Sequence, residues 1–514
     1  MKKIYLIVFV AALPCLVQGQ SAFDALRYSQ NFYTGTARSA AMGNAVTALG
    51  GDFGSISINP AGSAVYPYSE LIFTPALHNS VTQSDYLGNS YDESLTRLGV
   101  TNIGYVTSRN TSNYSGVVGF SFGIGYNGLN NYANRMSLSG DTDKSSWLAA
   151  LAYNTGGIHA KEMDWNDNQN PFYTSSASWR ALLAWNSSLL DTIPNSGGRA
   201  YIGATEAFFG NEIGIPGSLR QDFTRKTVGN SGEYVFNFGL NISHRLFLGV
   251  NLGVQSILYD TWEQFSESAR NVHDFAQTEF KSFTHTYHQK TIGTGINLKF
   301  GAILVPVDNF RLGFSISTPT WMSLTEEWDE TIDAKFSAGY NPPVLESPLG
   351  EYEFKVTTPY RLNVGAAFTF GSLGAISADY ERVEYNKIHM SSTGVNNPFI
   401  DQNNYIKKEY TSANNFRAGL ELNLNREVSL RGGYAFYGNP EKNWGFDTQI
   451  ASLGIGIQSG SFFSDLTFMH QFAQNEKFSL YDDVTEGTSV VYPAPIGEQK
   501  MSNWKLLLSL GFRF

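Results

Sequence analysis

The chain has 514 residues, of which 42% are hydrophobic and 16% charged, with a formal net charge of −10 and a single cysteine. The acidic balance and the absence of a basic tract argue against a nucleic-acid partner, and one cysteine closes no intrachain disulfide. Beyond the N-terminus no uncharged apolar run reaches the roughly 20 residues that a membrane helix needs.

Residues 1–19 read as a secretory signal. Lys2 and Lys3 precede an apolar run over 4–13, and Val17 and Gly19 are small enough for cleavage after Gly19. Cys15 lies inside this signal, preceded by Pro14 where a lipoprotein signal wants a small residue, which argues against lipidation. Residues 20–65 are rich in Gly, Ala, Ser and Asn and show no strand periodicity.

From residue 66 onward the chain reads as strands. The first two, 66–78 and 95–108, are weakly patterned. The third is clear: Val118, Phe120, Phe122, Ile124 and Tyr126 alternate with Gly119, Ser121, Gly123, Gly125 and Asn127. Side chains alternate across a strand, so one face is greasy and the other small and polar. An insert over 128–230 follows, with two helix-like pieces at 146–153 and 178–190. Further alternating segments begin near 234, 246, 292, 310, 362, 376, 416, 428, 451 and 462. The last is 504–514, with Trp504, Leu506, Leu508, Leu510, Phe512 and Phe514 on one face.

That makes fourteen predicted strands, an even number as a bacterial single-chain barrel requires. Short turns at 371–374, 425–427 and 459–461 alternate with long loops at 319–350, 389–413 and 475–502. Short periplasmic turns and long external loops are the asymmetry of an outer-membrane barrel. Aromatic residues at 14% suit interfacial girdles, and 50 glycines exceed the usual share of about 7%. The expected fold is therefore an all-β transmembrane antiparallel β-barrel spanning 66–514.

Several motifs resemble the FadL/TodX-type outer-membrane transport family. They are Gly35-Thr36-Ala37-Arg38, Gly43-Asn44-Ala45 and Ser57-Ile58-Asn59-Pro60-Ala61, then the hairpins around 358–381 and 415–434. The resemblance implies a fourteen-stranded barrel with an N-terminal hatch, or plug, over 20–65 that carries Asn59, Pro60 and Ala61. It implies passive uptake of hydrophobic small molecules, long-chain fatty acids or aromatic hydrocarbons, with lateral exit at strand three. It also implies that the terminal Phe512 and Phe514 act as an assembly signal. The expected partners are outer-membrane lipids, the barrel-assembly machinery and a hydrophobic substrate, with a monomeric chain in the bacterial outer membrane and no cofactor.

Candidate site residues follow from the same pattern. Gly119, Gly123 and Gly125 are the lateral-exit candidates, because strand glycines mark bends and close approaches. Arg311, Arg361, Arg417, Arg431 and Arg513 should point inward with Asp379, Glu421 and Asp465. They either fill the lumen as ion pairs or leave one guanidinium, Arg361 or Arg431, to grip a substrate carboxylate. Trp179, Leu182, Leu183 and Trp185 form either a ligand-capture patch on the external insert or simple helix packing. A surface ligand or haem receptor is the alternative function, and His285 and His288 should lie on opposite faces of one strand. A lipase is a further alternative, since Gly119-Phe120-Ser121-Phe122-Gly123 matches G-x-S-x-G, but that motif needs a strand-to-helix turn which a continuous strand lacks.

Overall fold

In the computed structural model of the chain, residues 21–166, 169–394, 397–443, 445–481, 483–486 and 489–514 are described. The signal segment 1–19, Cys15 included, lies outside them.

Fourteen strands among the described residues form one closed antiparallel barrel. They are β1 Glu70–Tyr86, β2 Asn89–Asn110, β3 Val117–Asn131 with its continuation Asn134–Thr142, β4 Leu219–Ile242 and β5 Leu246–Ala269. Then come β6 Phe280–Val307, β7 Phe310–Ser317 with Trp321–Phe336, β8 Gly350–Thr357 with Arg361–Thr369, and β9 Gly374–Glu384. The last five are β10 Ser412–Asn423, β11 Val428–Tyr437, β12 Thr448–Ser459, β13 Phe462–Ser479 and β14 Ile496–Arg513. β14 pairs with β1 from Glu70↔Arg513 to Asp85↔Glu498, which closes the wall. Phe514 and Ser69 exchange two backbone hydrogen bonds just below, at 3.0 and 3.1 Å.

The greasy faces point outward. Phe120, Phe122 and Ile124 are 44, 45 and 42% exposed, whereas Ser121 between them is 1% exposed. Such a belt is stable only against lipid, and closure pairs the backbone where no water can.

Many strands run well past the belt. β6 is 28 residues long, against the ~9–11 that cross a bilayer. Half of the predicted loop 319–350 is the upper part of β7, and the predicted insert 128–230 loses 128–131 and 134–142 to β3 and 219–230 to β4. Above the membrane the inner face packs on a cap and the outer face is polar, so apolar alternation fades. The cap itself is 143–218. It contains helices Trp147–Asn154 and Trp179–Asn186, whose apolar sides join one core with Tyr86, Met136, Phe265 and Phe283.

The N-terminal segment lies inside the barrel. It has helices α1 Ala22–Ser29, α2 Ala37–Ala41 and α3 Phe53–Ile56, and a 3-10 turn Pro60–Val65 capped by Asn59. Rows of cross-strand glycines in the wall receive it. Gly249 and Gly301 are paired, and a Cβ on either would strike the Asn59–Ala61 stretch. Gly313 and Gly365 are paired against Thr47 and Ala48, and Gly419 and Gly433 against Met42 and Gly43. The glycine excess thus lets backbone lie directly on the wall.

Candidate functional site

Lumen charges are fixed by ion pairs that tie the wall to the N-terminal segment. Arg361 places Nη1 2.6 Å from Glu381 Oε1 and donates from Nη2 to the Ser29 carbonyl. Arg417, fully buried, reaches the other oxygen of Glu381 at 3.1 Å and donates to Asn363 Oδ1 at 2.8 Å. Lower down, Arg38 of α2 grips Glu421 with two nitrogens, at 2.8 and 3.1 Å. Arg431 also binds Glu421, at 2.6 Å, and pairs with Asp465. Arg361 and Arg431 therefore face inward as expected, but each already holds protein carboxylates. That satisfies the guanidinium forks and corrects the assignment of either residue as a free substrate grip.

Asn59 stitches the segment to the wall. Its Nδ2 donates to Thr47 O at 2.6 Å and to Ala302 O at 3.2 Å, while its Oδ1 accepts from Ala61 N at 3.1 Å. Pro60 O accepts from Asn237 Nδ2 at 3.0 Å. The motif Asn59-Pro60-Ala61 is the point where this segment meets β4, β5 and β6.

Gly119, Gly123 and Gly125 face inward, yet pairing there is continuous. Gly123 faces Val106 of β2 and Asn237 of β4, and Gly125 faces Gly104 and Val235. The expected break at these glycines is absent. Gly125 serves close packing instead, since a Cβ there would lie 2.6 Å from the Phe53 ring, whereas one on Gly123 would meet Ile56 at an ordinary contact distance of 3.5 Å.

The break lies one step higher. The β2–β3 ladder ends at Asn102↔Asn127. Above it, residues 128–133 of β3 turn inward, and Leu129, Tyr132 and Ala133 are buried. The backbone that β3 withdraws from β2 is taken up by the N-terminal segment: Phe32 N donates to Leu129 O at 2.9 Å and Thr34 N to Gly128 O at 3.2 Å. The upper part of β3 stays paired with β4 from Asn134↔Thr227 to Thr142↔Leu219. β2 keeps only β1 as a ladder partner over 89–101. Side chains tie the top again, through Arg135 to Glu93 at 3.3 Å and Ser137 to Glu93 at 2.6 Å. What remains is a gap in the ladder, called the window below, bounded by residues 94–101 of β2 and 128–133 of β3. Leu98 is 79% and Val100 46% exposed at its edge. A Cβ built on Gly99 would have no heavy atom within 4 Å. β2 covers the predicted 95–108 and extends it to Asn89–Asn110, and its free edge is not part of that expectation. The available signal was the loss of alternation in Gly128-Leu129-Asn130-Asn131.

The external insert turns its apolar residues inward. Leu182 and Leu183 are fully buried in the cap core. Trp179 lies between Phe172 and Trp328, at ring distances of 5.6 and 5.5 Å. Trp185 packs on Tyr201 and donates to Asp164 Oδ1 at 2.9 Å. Helix packing, not an exposed capture patch, accounts for these four residues. Glu206 in this cap accepts from Gly203 N at 2.8 Å. Burial pushes its carboxyl up to about 7 against that hydrogen bond, and the nearby Glu267 charge pushes it further in the same direction.

Ser121 sits within β3, its hydroxyl 2.9 Å from that of Ser63, with no strand-to-helix turn to present it as a nucleophile. His285 pairs with Glu330 at 2.8 Å, and His288 with Asp260 at 2.9 Å on the other face of β6. Phe512 and Phe514 lie on the lipid face, 50 and 61% exposed.

No protein-family model and no curated protein matches the sequence. Among solved structures, the P. putida toluene transporter TodX aligns at 14% identity over 93% of this chain and 98% of its own, with a TM-score of 0.51. A Pseudomonas aeruginosa FadL homologue aligns at 12% identity over 94% of this chain and 98% of its own, with a TM-score of 0.53. At these identities the likeness is one of fold. Nearly the whole chain shares the barrel architecture of FadL/TodX-type outer-membrane proteins.

Proposed function

We propose that the protein is a bacterial outer-membrane channel for passive uptake of hydrophobic small molecules, long-chain fatty acids or aromatic hydrocarbons. Residues 20–65 act as the hatch that blocks the axial path, and substrate leaves sideways between β2 and β3. The observation that carries this reading is the window. An unpaired strand edge at membrane depth is costly unless it lines a cavity, and this one opens from the lumen directly onto the lipid belt. A hydrophobic molecule taking that route never enters the periplasmic water. The names of the two similar structures, a toluene transporter and a FadL homologue, favour the same substrate class.

Gly99 gives the test. It lies opposite Ala76, on the lumen face of β2 and in open space, so a side chain there narrows the window without pressing on the fold. Once 1–19 is removed the chain has no cysteine, so Gly99→Cys can be labelled alone. Coupling a bulky thiol reagent through a disulfide should abolish uptake of an apolar tracer by cells, and reduction should restore it. Full uptake with the label in place would sink lateral exit and leave an axial path through the hatch.

A further inference from the structure

One row of lumen-facing side chains beside the window is basic and unpaired. His78 of β1 stands opposite Arg97 of β2 on one side and Lys505 of β14 on the other. Directly opposed residues have Cβ atoms about 4.5–5.5 Å apart, so the three form a continuous row across three strands. Arg97 is exposed and Lys505 half-buried, and among the described residues neither has an ion pair or a hydrogen bond. Arg361, Arg417 and Arg431, deeper in the same lumen, are all paired with carboxylates.

The surroundings supply no counter-charge. Ala76, Ser80, Met469, Asn503 and Leu507 flank the row on the neighbouring strands, and all are uncharged. The nearest carboxylate on the same face of β2, Glu93, is held by Arg135 at 3.3 Å. Two polar atoms in the row and beside it are orphaned as well. His78 is 5% exposed and its Nδ1 has no partner, and Asn503 Oδ1 is also buried without one. Buried polar atoms are almost always satisfied by protein or by something bound. Unpaired cations at membrane depth normally face a water-filled or ligand-filled space. Lys505 is at that depth, since Leu506 and Leu508 beside it belong to the lipid belt.

Arg97 and the window edge are contiguous. Leu98 and Val100, the exposed apolar threshold, alternate with Arg97 and Gly99 along the strand. A molecule with one end at this row and the other in the window must be charged at the first end and apolar along the rest. We infer that Arg97 and Lys505, with His78 between them, bind the anionic head group of a long-chain amphiphile at the inner mouth of the window, while its hydrocarbon tail lies across Leu98 and Val100. The guanidinium fork suits a carboxylate, and the ammonium adds a second charge. This rests on the lateral-exit reading and narrows it: the favoured substrates are amphiphilic carboxylates, not neutral aromatic hydrocarbons. A lipid phosphate reaching in from the membrane shares the same head-group chemistry.

The test uses purified protein in nanodiscs of phosphatidylcholine, with oleate and its uncharged analogue oleyl alcohol as probes. Arg97→Gln/Lys505→Gln should weaken oleate binding at least tenfold and change oleyl alcohol binding less than twofold. Each single variant should fall between, and Arg97→Lys should retain most of the affinity. Arg426→Gln, an exposed arginine in the β10–β11 turn, should leave oleate unchanged and so excludes a bulk charge effect. Phosphatidylglycerol in the nanodisc separates the two sources. Competition with oleate that disappears in the double variant supports the site with membrane lipid as an occupant. Absence of competition supports a substrate carboxylate alone. Equal loss of both probes, or no loss of either, in a heat-modifiable double variant would overturn the assignment and leave lateral exit standing. Wild-type protein that binds neither probe would overturn the uptake reading itself.

Discussion

Two walls of this barrel treat the same kinds of residue in opposite ways. Around β8 to β11, arginines and carboxylates are buried together and the N-terminal segment is bound through them. Between β2 and β3, backbone groups lack a ladder partner, and Arg97 and Lys505 lack a counter-ion. One wall holds and the other is left free. A buried ion pair is a poor source of net stability but costs heavily to break, so it fixes a geometry. An unpaired edge fixes nothing and leaves room for a ligand. Residues 32–34 join the two, because they bond the inward turn of β3 while the same segment is anchored to the far wall.

The largest effect should come from the holding wall. Arg417→Leu leaves the carboxylate of Glu381 and that of Asp379 facing each other in the interior, with Arg361 as the nearest cation. Breaking one partner of such a network costs about 3–5 kcal/mol. Denaturant unfolding in vesicles, followed by tryptophan fluorescence, should show that loss. A change near zero would mean that the network does not anchor the segment.

The cap should show a pH dependence of similar or slightly smaller size. The Glu206 carboxyl is raised to about 7 by burial, against the usual range of about 4.3 for an unfolded chain. A raised acid binds its proton more tightly in the fold. Its contribution is therefore complete below about pH 4 and is lost as pH rises through 7. Hydrogen exchange in helix Trp147–Asn154, which packs beside it, should quicken between pH 5 and 8 by an amount on the order of 2–3 kcal/mol. Glu206→Gln should remove its part of that pH dependence and leave the part that comes from Glu267, which accepts from Trp147 N at 2.8 Å.

A third, smaller effect tests how tightly the segment is seated. A Cβ on Gly104 would lie 2.5 Å from the Phe53 ring. Gly104→Val should cost about 1–3 kcal/mol by overpacking, and adding Phe53→Ala should recover most of it. No recovery would show that the strain lies in the β2 backbone and not against α3.

These contrasts explain what the sequence can and cannot show. The barrel is legible because lipid outside and polar lumen inside impose period two, as in Phe236-Asn237-Phe238-Gly239-Leu240. The upper halves of β6 and β7 are not legible, since a cap inside and water outside remove that contrast. Lumen charge is legible as inward arginines, but pairing is not. Arg361 and Arg97 look alike in a strand, and only the register sets Glu381 diagonally across from one and His78 directly opposite the other. The strand-three glycines attract attention as a weak point, yet Gly125 marks where Phe53 presses on the wall. The gap in the β2–β3 ladder lies higher, where β3 bonds residues 32–34, which are distant in sequence and carry no motif.

The smallest expected effect is the sharpest test of the comparison. Arg97→Gln removes a cation of the same type as Arg417 from the same lumen. If both walls were packed alike, the two losses would be similar. Arg97 has no carboxylate to strand and no hydrogen bond to lose, and its neighbour Gly99 borders open space. Its removal should therefore shift unfolding by no more than about 0.5 kcal/mol, as for a site free of buried partners. A loss of several kcal/mol at Arg97 would mean that the window is closed by contacts to this side chain, and the distinction between a holding wall and an open one would fail. A null effect on stability combined with a selective loss of oleate binding would place Arg97 among residues kept for a ligand and not for the fold.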